Sequence, residues 1–274
     1  MKGNESAGEM TTIKHGLAEV NGAQIHYEIR GSGPPLLLIM GLTGDAGWFE
    51  PLAELLAKQF TVVTYDRRAN SRSPRPEGWT STSIAEQADD AAGLLSALRL
   101  GPAIVFGNSF GAMILLELIV RHPRSVRGAV AHEPPLMPLL YQVHDLADFW
   151  KAKVAKGGPR NALRVFTEMK EDEAINGLDP NMMRRAFDNG DVIFSVEMPV
   201  IISYRPDAEA LRGSKVPIFV AAGEETAMHL FCASKWLATQ LKTDLHMFPS
   251  GHVGYVDQPR EFAKALLPLI EGLR

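Results

Sequence analysis

Residues 103–120 read AIVFGNSFGAMILLELIV, and this stretch decides the fold. The apolar run Ala103–Phe106 is typical of a buried strand, and the apolar residues after Phe110 are typical of a buried helix. Between them lies Gly107-Asn108-Ser109-Phe110-Gly111, which has the form Gly-x-Ser-x-Gly. In a strand–turn–helix context this form predicts a crowded turn that only glycines fit, with the serine at a helix N-terminus. We therefore expect Ser109 to be a nucleophile.

Further strand-like runs alternate with helical patterns on both sides of this turn. The strand-like runs are Pro35–Met40, Phe60–Tyr65, Arg127–Ala131, Val216–Ala222 and Asp244–Phe248. The helical patterns cover Phe49–Gln59, Ser83–Leu100, Phe110–His122 and Glu261–Leu273. Near the start of the chain, alternating polar and apolar residues predict an antiparallel hairpin formed by Gly16–Val20 and Gly22–Ile29. This order predicts an α/β fold in which helices flank a mostly parallel, eight-stranded sheet.

The strand–helix alternation stops at Pro134 and resumes at Lys215. The chain between them contains amphipathic helical fragments, no clear core strand, and many methionines and aromatic residues. A length of 274 residues suits two small domains or one large domain with an insertion, and the order of segments favours the second. We expect a disordered N-terminus over residues 1–12, a core from residues 13–134 and 213–274, and a helical cap over residues 135–212. Such a cap would form an apolar chamber above the sheet.

The composition limits the partners of the protein. With 28 Lys and Arg residues against 32 Asp and Glu residues, the net charge is −4, and no basic excess is present to neutralise nucleic-acid phosphates. The single cysteine, Cys232, cannot form an internal disulfide, which favours a reducing compartment. The polar segment Met1–Thr12 lacks the apolar core of a signal peptide, and no apolar run approaches the roughly 20 residues that span a bilayer. We expect a cytoplasmic protein with a small-molecule substrate and no membrane partner, and a homodimer is compatible with the sequence.

The sequence favours chemistry without a cofactor. No Gly-x-Gly-x-x-Gly follows a strand-like run, so a dinucleotide has no expected site. The histidines and acidic residues do not show the spacing of metal ligands, and we expect no catalytic metal.

A nucleophilic serine requires a base, and His252 is the best placed of the eight histidines. It lies in Ser250-Gly251-His252-Val253-Gly254, after the last strand-like run and before the last helix. In the chain order serine, acid, histidine, the base comes last, on the loop after the final strand. The alternative is a loop histidine that caps the next helix.

Four segments together resemble the α/β-hydrolase superfamily, over a range from about Gly16 to the C-terminus. They are Ile39-Met40-Gly41-Leu42, Tyr65-Asp66-Arg67-Arg68, the turn around Ser109 and Ser250-Gly251-His252. The resemblance implies an α/β-hydrolase fold with a triad of serine, histidine and an acid. Most relatives have Asp at the position that Thr226 occupies here, and a threonine cannot carry the charge that orients an imidazole.

Two alternatives are open for the acid. Glu224 and Glu225 lie next to Thr226 but out of register with the usual Asp. Glu133 lies in Ala131-His132-Glu133-Pro134-Pro135, at the end of the strand that follows the helix of Ser109. This second layout resembles that of the fungal zearalenone lactonases, in which a His-Glu-Leu-Pro-like segment supplies the acid. We favour Glu133, and we expect His132 to point to the other side of the strand as a structural residue.

The oxyanion hole and the substrate pocket complete the expected site. The resemblance implies one oxyanion donor from the backbone N–H of Phe110 and a second from Leu42 or Gly41. Four residues are expected to line the substrate pocket: Trp48, Tyr141, Ile193 and Met228.

The sequence therefore predicts a hydrolase that cleaves a carboxylic ester or lactone of a largely apolar small molecule through an acyl-enzyme. A C–C bond hydrolase or a cofactor-free perhydrolase is an alternative, since both keep the serine and the histidine. A non-catalytic small-molecule receptor is a further alternative, because Thr226 and Met40 depart from the superfamily pattern. The cap tryptophan of the zearalenone lactonases has no counterpart near Asp188–Tyr204, which argues against zearalenone as the substrate.

Overall fold

A single eight-stranded sheet forms the centre of the molecule. The computed structural model describes residues 12–139, 143–168 and 178–274. The strands are β1 (Lys14–Val20), β2 (Ala23–Arg30), β3 (Pro35–Ile39), β4 (Thr61–Tyr65), β5 (Ala103–Asn108), β6 (Val126–His132), β7 (Ile218–Gly223) and β8 (Leu245–Phe248). Their order in the sheet is β1-β2-β4-β3-β5-β6-β7-β8. The first two strands form an antiparallel hairpin at the edge, β2 is antiparallel to β4, and the other pairs are parallel. The predicted sheet is confirmed.

Helices surround this sheet. They are α1 (Glu50–Leu56), α2 (Ile84–Ala97), α3 (Phe110–Arg121), α4 (Val143–Thr167), α5 (Pro180–Asp188), α6 (Gly190–Val192), α7 (Met198–Ile201), α8 (Ala208–Gly213), α9 (Met228–Leu241), α10 (Gly254–Asp257) and α11 (Pro259–Glu271). Helices α1 and α11 pack against each other on one face, and α2, α3 and α9 pack on the other. A π-helical segment, Ile193–Glu197, joins α6 to α7.

The strands form where the sequence is apolar without interruption. Every residue of β5 is buried, as expected for a central strand with helices on both faces. Strand β7 begins two residues later than the apolar run predicts. Pro217 explains the difference, because proline has no N–H to donate to a neighbouring strand; only its carbonyl takes part, and it accepts from the Ala129 N–H at 2.9 Å.

Helices α4 to α7, between β6 and β7, lie over the carboxyl ends of the strands, and we call them the cap; α8 instead packs beside α3 and α9. Polar side chains tie the middle of the cap to the core. Arg185 in α5 donates to the buried carboxylate of Asp45 (Nε–Oδ2 2.7 Å). Asn189 donates to the Thr43 carbonyl at 2.8 Å and accepts from the Ser71 N–H at 2.7 Å. The cap is therefore anchored on the loops that follow β3 and β4.

Parts of the predicted domain division lie outside the described residues. These are residues 1–11 of the expected disordered N-terminus, and residues 140–142 and 169–177 of the expected cap. Within the described ranges, no helix has the length and apolar character needed to cross a bilayer.

Candidate active site

Ser109 occupies a sharp turn between β5 and α3. Its backbone has φ 57° and ψ −122°, a conformation that is strained for a residue with a side chain. A Cβ atom on Gly111 would lie 2.0 Å from the Ile39 carbonyl oxygen, and one on Gly107 would lie 2.4 Å from the Gly111 oxygen. Neither position can hold a larger residue without movement of the backbone. The glycines of the pentapeptide are therefore required by the turn that presents Ser109 at the start of α3.

Glu133 and His252 form a hydrogen-bonded pair at the carboxyl end of the sheet. Glu133 follows β6 and is fully buried, with a left-handed backbone (φ 51°) that turns the chain there. One carboxylate oxygen, Oε2, accepts a hydrogen bond from His252 Nδ1. The other, Oε1, accepts from the backbone N–H of Gly223 at 2.7 Å. The carboxylate is thus fixed from both sides and in turn fixes the tautomer and orientation of the imidazole.

The environment keeps Glu133 ionised. Burial by itself raises the pKa of this carboxyl, but the hydrogen bond from His252, the electrostatic influence of the His132 and His252 imidazoles and the Gly223 N–H outweigh it and lower the pKa to about 2. The alternative acids are not held in this way. Glu224 and Glu225 are exposed, and the structure pairs neither side chain with His252. Of the three acidic residues considered from the sequence, only Glu133 is joined to the histidine.

The loop after β3 lies beside Ser109, where a Cβ atom on Gly41 would come within 3.0 Å of Ser109 Cβ. Arg67 Nη2 donates to the carbonyl oxygens of Gly41 and Leu42, each at 3.0 Å. The Gly41 carbonyl and the Leu42 N–H belong to one trans peptide group and point in opposite directions. Arg67 therefore holds this peptide group with the Leu42 N–H pointing away from the guanidinium.

Arg67 also connects this loop to the cap. Its guanidinium lies over the Phe110 ring, with Cζ 4.6 Å from the ring centroid, and forms an ion pair with Glu197 in which both side chains are fully buried. Glu197 also accepts from Asn70 Nδ2 at 3.1 Å. The sequence analysis missed Glu197. The sequence does contain a sign of it, because Glu197 is the one charged residue in the apolar stretch 192–202. A charge in such a stretch is expected to be buried, and a buried charge requires a partner.

A large cavity of about 1050 Å³ opens above Ser109. Its cap wall is mainly apolar and consists of Met137, Asp145, Leu146, Phe149, Trp150, Val165, Phe166, Met198, Ile201 and Ile202. Its core wall consists of Leu42, Ser109, Phe110, Pro135, Glu225, Thr226, Ala227, His229, Leu230 and His252. The charged side chains among these residues are acidic, and none is Lys or Arg.

Three of the expected pocket residues do not line this cavity. Ile193 is fully buried inside the cap, where it is the first residue of the π-helical segment. Met228 is 74% exposed at the start of α9, and the next two residues, His229 and Leu230, lie along the cavity instead. Trp48 lines a second, smaller cavity. Tyr141 lies outside the described residues.

His132 lies below the site, on the side of the sheet that the strand alternation predicts. It is fully buried against Phe106, Phe248 and Phe262, and its Nδ1 is 2.7 Å from Asn108 Oδ1. Burial lowers the pKa of His132 to about 4. The imidazole is therefore neutral at physiological pH and contributes to the packing under the nucleophile.

This pKa predicts an acid-sensitive fold. Between pH 6.5 and 4 the unfolded chain binds a proton at residue 132 that the folded protein excludes, so the free energy of unfolding should fall as the pH drops through that window. The fall is about 3 kcal/mol in total and ends near pH 4. Urea denaturation at several pH values measures it. His132→Asn keeps a donor for Asn108 but cannot titrate, so its stability should depend less steeply on pH; equal slopes in the two proteins would contradict the assignment.

Among the described residues, no group of three His, Cys, Asp or Glu side chains is arranged to hold a metal ion.

A model of the alpha/beta hydrolase fold family matches residues 34–259. The chain is 36% identical over 268 residues to the uncharacterized hydrolase YraK of Bacillus subtilis, with 95% of this chain and 97% of the relative covered. It is 28% identical over 255 residues to zearalenone hydrolase of Bionectria ochroleuca, with 90% and 94% covered. A thermophilic esterase from Thermogutta terrifontis shares the fold, with a TM-score of 0.77 at 18% identity and 95% and 99% of the chains covered.

Proposed function

The chain belongs to the α/β-hydrolase fold family and is a hydrolase, and from this starting point we propose that it cleaves esters or lactones of neutral, largely apolar small molecules through a Ser109–His252–Glu133 triad. The observation that supports the proposal most is the Glu133–His252 pair at the cavity that Ser109 also lines. A carboxylate fixed on the imidazole stabilises the imidazolium that forms during nucleophilic catalysis, whereas binding without reaction forms no imidazolium.

In the proposed reaction, Ser109 Oγ attacks the substrate carbonyl carbon while His252 Nε2 accepts the hydroxyl proton. The carbonyl oxygen becomes an oxyanion and receives hydrogen bonds from the N–H groups of Phe110 and Leu42. The bond to the leaving alcohol breaks as His252 returns the proton to it, which leaves an acyl group on Ser109. Water then attacks this ester with the same base, and the acid is released. Glu133 stabilises the imidazolium in both halves of the cycle.

The large cavity supports a neutral substrate. A substrate carboxylate would be removed from water without a cationic partner among the lining residues that the structure describes, and it would meet the acidic side chains of Asp145 and Glu225. The apolar cap wall favours an aliphatic or aromatic group of substantial size. The chain is also related to zearalenone hydrolase, and its own cap wall carries a tryptophan, Trp150.

A matched pair of esters tests the proposal. We expect 4-nitrophenyl hexanoate to be hydrolysed with a kcat/KM more than about tenfold above that of the 4-nitrophenyl half ester of adipic acid, because the second compound buries an unpaired carboxylate. A fluorophosphonate probe should block the activity and label Ser109, as located by peptide mass spectrometry.

Two outcomes would contradict this proposal. One is that neither esters nor lactones of varied size are hydrolysed while mass spectrometry recovers them unchanged, as a receptor would leave them. The other is a preference for the carboxylate-bearing ester, which would remove the argument from the cavity wall.

A further inference from the structure

Four buried side chains form a connected set beneath the proposed triad. Asn108 and His132 are the last residues of β5 and β6 and stand opposite each other in the sheet. His132 Nδ1 lies 2.7 Å from Asn108 Oδ1, and Asn108 Nδ2 donates to the Tyr255 hydroxyl at 3.1 Å. The Tyr255 hydroxyl in turn contacts Met40 Sδ at 3.9 Å. None of the four is more than 2% exposed, and we call them the Asn108 network.

Each member of the Asn108 network lies within three positions in the sequence of a residue of the proposed site. The pairs are Met40 and Gly41, Asn108 and Ser109, His132 and Glu133, and Tyr255 and His252. The members themselves are up to 215 positions apart along the chain. The network therefore joins, through side chains, the four segments that supply the oxyanion loop, the nucleophile, the acid and the base.

Two hydrogen bonds hold the Asn108 amide from both ends. Because the amide nitrogen donates to Tyr255, the amide oxygen faces His132, and His132 must donate from a protonated Nδ1. His132 Nε2 is then the unprotonated nitrogen, and it has no hydrogen-bond partner among the described residues. Rotation of the amide about the Cβ–Cγ bond would break both hydrogen bonds, so the two partners together fix a single orientation.

The network acts on the strained turn of the nucleophile. The φ of 57° and ψ of −122° at Ser109 can persist only where the surrounding structure determines them. The Ser109 N–H donates to the His132 carbonyl at 2.9 Å, and the His132 side chain binds the preceding residue, Asn108. His132 thus holds the turn at two points. Tyr255 joins the same amide to α10, the helix that follows His252.

We propose that Asn108 is a positioning residue, which His132 and Tyr255 hold so that Ser109 Oγ stays aligned with His252 Nε2. The inference rests on the proposed function and adds a residue to its mechanism. A misplacement of about 1 Å in a reacting group can lower a rate about 100-fold. Loss of one bond frees the amide but leaves the triad complete, so we expect kcat to fall about tenfold with little change in KM.

His132 gives the first test, because it lines neither the large nor the smaller cavity. His132→Leu removes the donor to Asn108 and should lower kcat on 4-nitrophenyl hexanoate about tenfold. His132→Asn places an amide nitrogen where histidine has Nδ1 and should recover most of this loss. Since leucine and asparagine are both uncharged, an effect transmitted electrostatically to Glu133 would be equal in the two variants. The rate at which a fluorophosphonate labels Ser109 should follow kcat, and thermal unfolding verifies folding.

Tyr255→Phe and Tyr65→Phe form a matched pair for the other bond. Each removes one hydroxyl from a tyrosine that is at most 2% exposed. The Tyr65 hydroxyl has no hydrogen-bond partner in the described part of the chain, whereas the Tyr255 hydroxyl accepts from Asn108. We expect kcat and the labelling rate to fall about tenfold in Tyr255→Phe and to keep their wild-type values in Tyr65→Phe. Tyr255 lines the smaller cavity, so KM is measured as well, because lost contact with substrate would raise it.

The double variant H132L/Y255F distinguishes one network from two separate contacts. Both bonds orient the same amide, so once either is lost, the loss of the other should have little further effect. We therefore expect kcat in the double variant to remain about tenfold below the wild type, whereas independent effects would multiply to about 100-fold.

Three outcomes would overturn the inference. Wild-type kcat and labelling rates in His132→Leu and Tyr255→Phe contradict the positioning role and leave the proposed function intact. Equal losses in His132→Leu and His132→Asn, or a multiplied loss in the double variant, also contradict the positioning role alone. A wild type that neither hydrolyses the ester nor is labelled at Ser109 contradicts the proposed function and the inference with it. If His132→Leu does not fold, the two tyrosine variants decide.

Discussion

Replacing Glu133 with glutamine is expected to lower kcat by about 10⁴-fold, the scale seen when the acid of a serine–histidine–acid triad is replaced by its amide. Glutamine keeps the volume of the side chain and an acceptor for the Gly223 N–H, but it has no charge to stabilise the imidazolium of His252. Because the pKa of Glu133 is about 2, the carboxylate is ionised throughout the working range, and the wild type carries this charge at every pH assayed between 5 and 9.

Glu225→Gln is the matched control for this substitution. Glu225 is an acidic residue of the same type that lines the large cavity, is exposed, and has no bond to His252 in the structure. Its replacement should leave kcat on 4-nitrophenyl hexanoate close to the wild-type value. Steady-state kinetics on both variants, with thermal unfolding to verify folding, measures the difference. A larger loss in Glu225→Gln than in Glu133→Gln would transfer the role of the acid.

The second large effect is expected from replacing the Arg67–Glu197 pair. This pair touches no substrate in the proposed reaction and acts through the loop after β3, which contains Gly41 and Leu42 and which we call the oxyanion loop. In the double variant R67M/E197M, the Gly41 and Leu42 carbonyls lose their donor and Phe110 loses the guanidinium stacked on it. The Leu42 N–H is then free to turn away from the oxyanion to which it donates in the proposed reaction. Since the oxyanion exists only in the transition state, kcat should fall about 100-fold while KM changes little.

This double substitution separates positioning from stability. Replacing both members of a buried ion pair with apolar residues leaves no uncompensated charge and is often neutral for folding. The neighbouring pair Arg68–Asp90 is buried to a similar degree, with Nε–Oδ2 at 2.8 Å, and contacts neither Ser109 nor the oxyanion loop. R68M/D90M should therefore keep its kcat. Equal losses of kcat in the two double variants would show that Arg67 has only a structural role.

The sequence is a good guide to the core because the core obeys local rules. Continuous apolar runs became buried strands, and glycines at 107 and 111 permitted a turn that other residues would block. The Glu133–His252 pairing was also accessible, since both residues follow strands whose carboxyl ends meet at one edge of the sheet. Thr226 showed that the usual acid was absent and so directed attention to Glu133.

The cap was less predictable because its helices are short and irregular. The π-helical turn Ile193–Glu197 adds a residue to one helical turn, so the apolar spacing no longer indicates which side chains face the cavity. The partnership of Arg67 with Glu197 spans 130 residues of chain, and no local pattern encodes a contact of that kind. Trp48 was identified as a pocket residue, but only the three-dimensional structure divides the pocket into two.

The anchoring of the cap has a consequence for how this enzyme can be altered. Arg185, Asn189 and Glu197 fasten the middle of the cap to the loops that follow β3 and β4, and the first of these loops contains the proposed oxyanion donor Leu42. Helix α4 instead supplies six side chains to the large cavity, from Asp145 to Phe166. A library confined to those six positions would vary the shape of the chamber while the anchored segment stays in place. Selection for new substrates could then proceed in α4 without altering the segment that holds the loops beside Ser109.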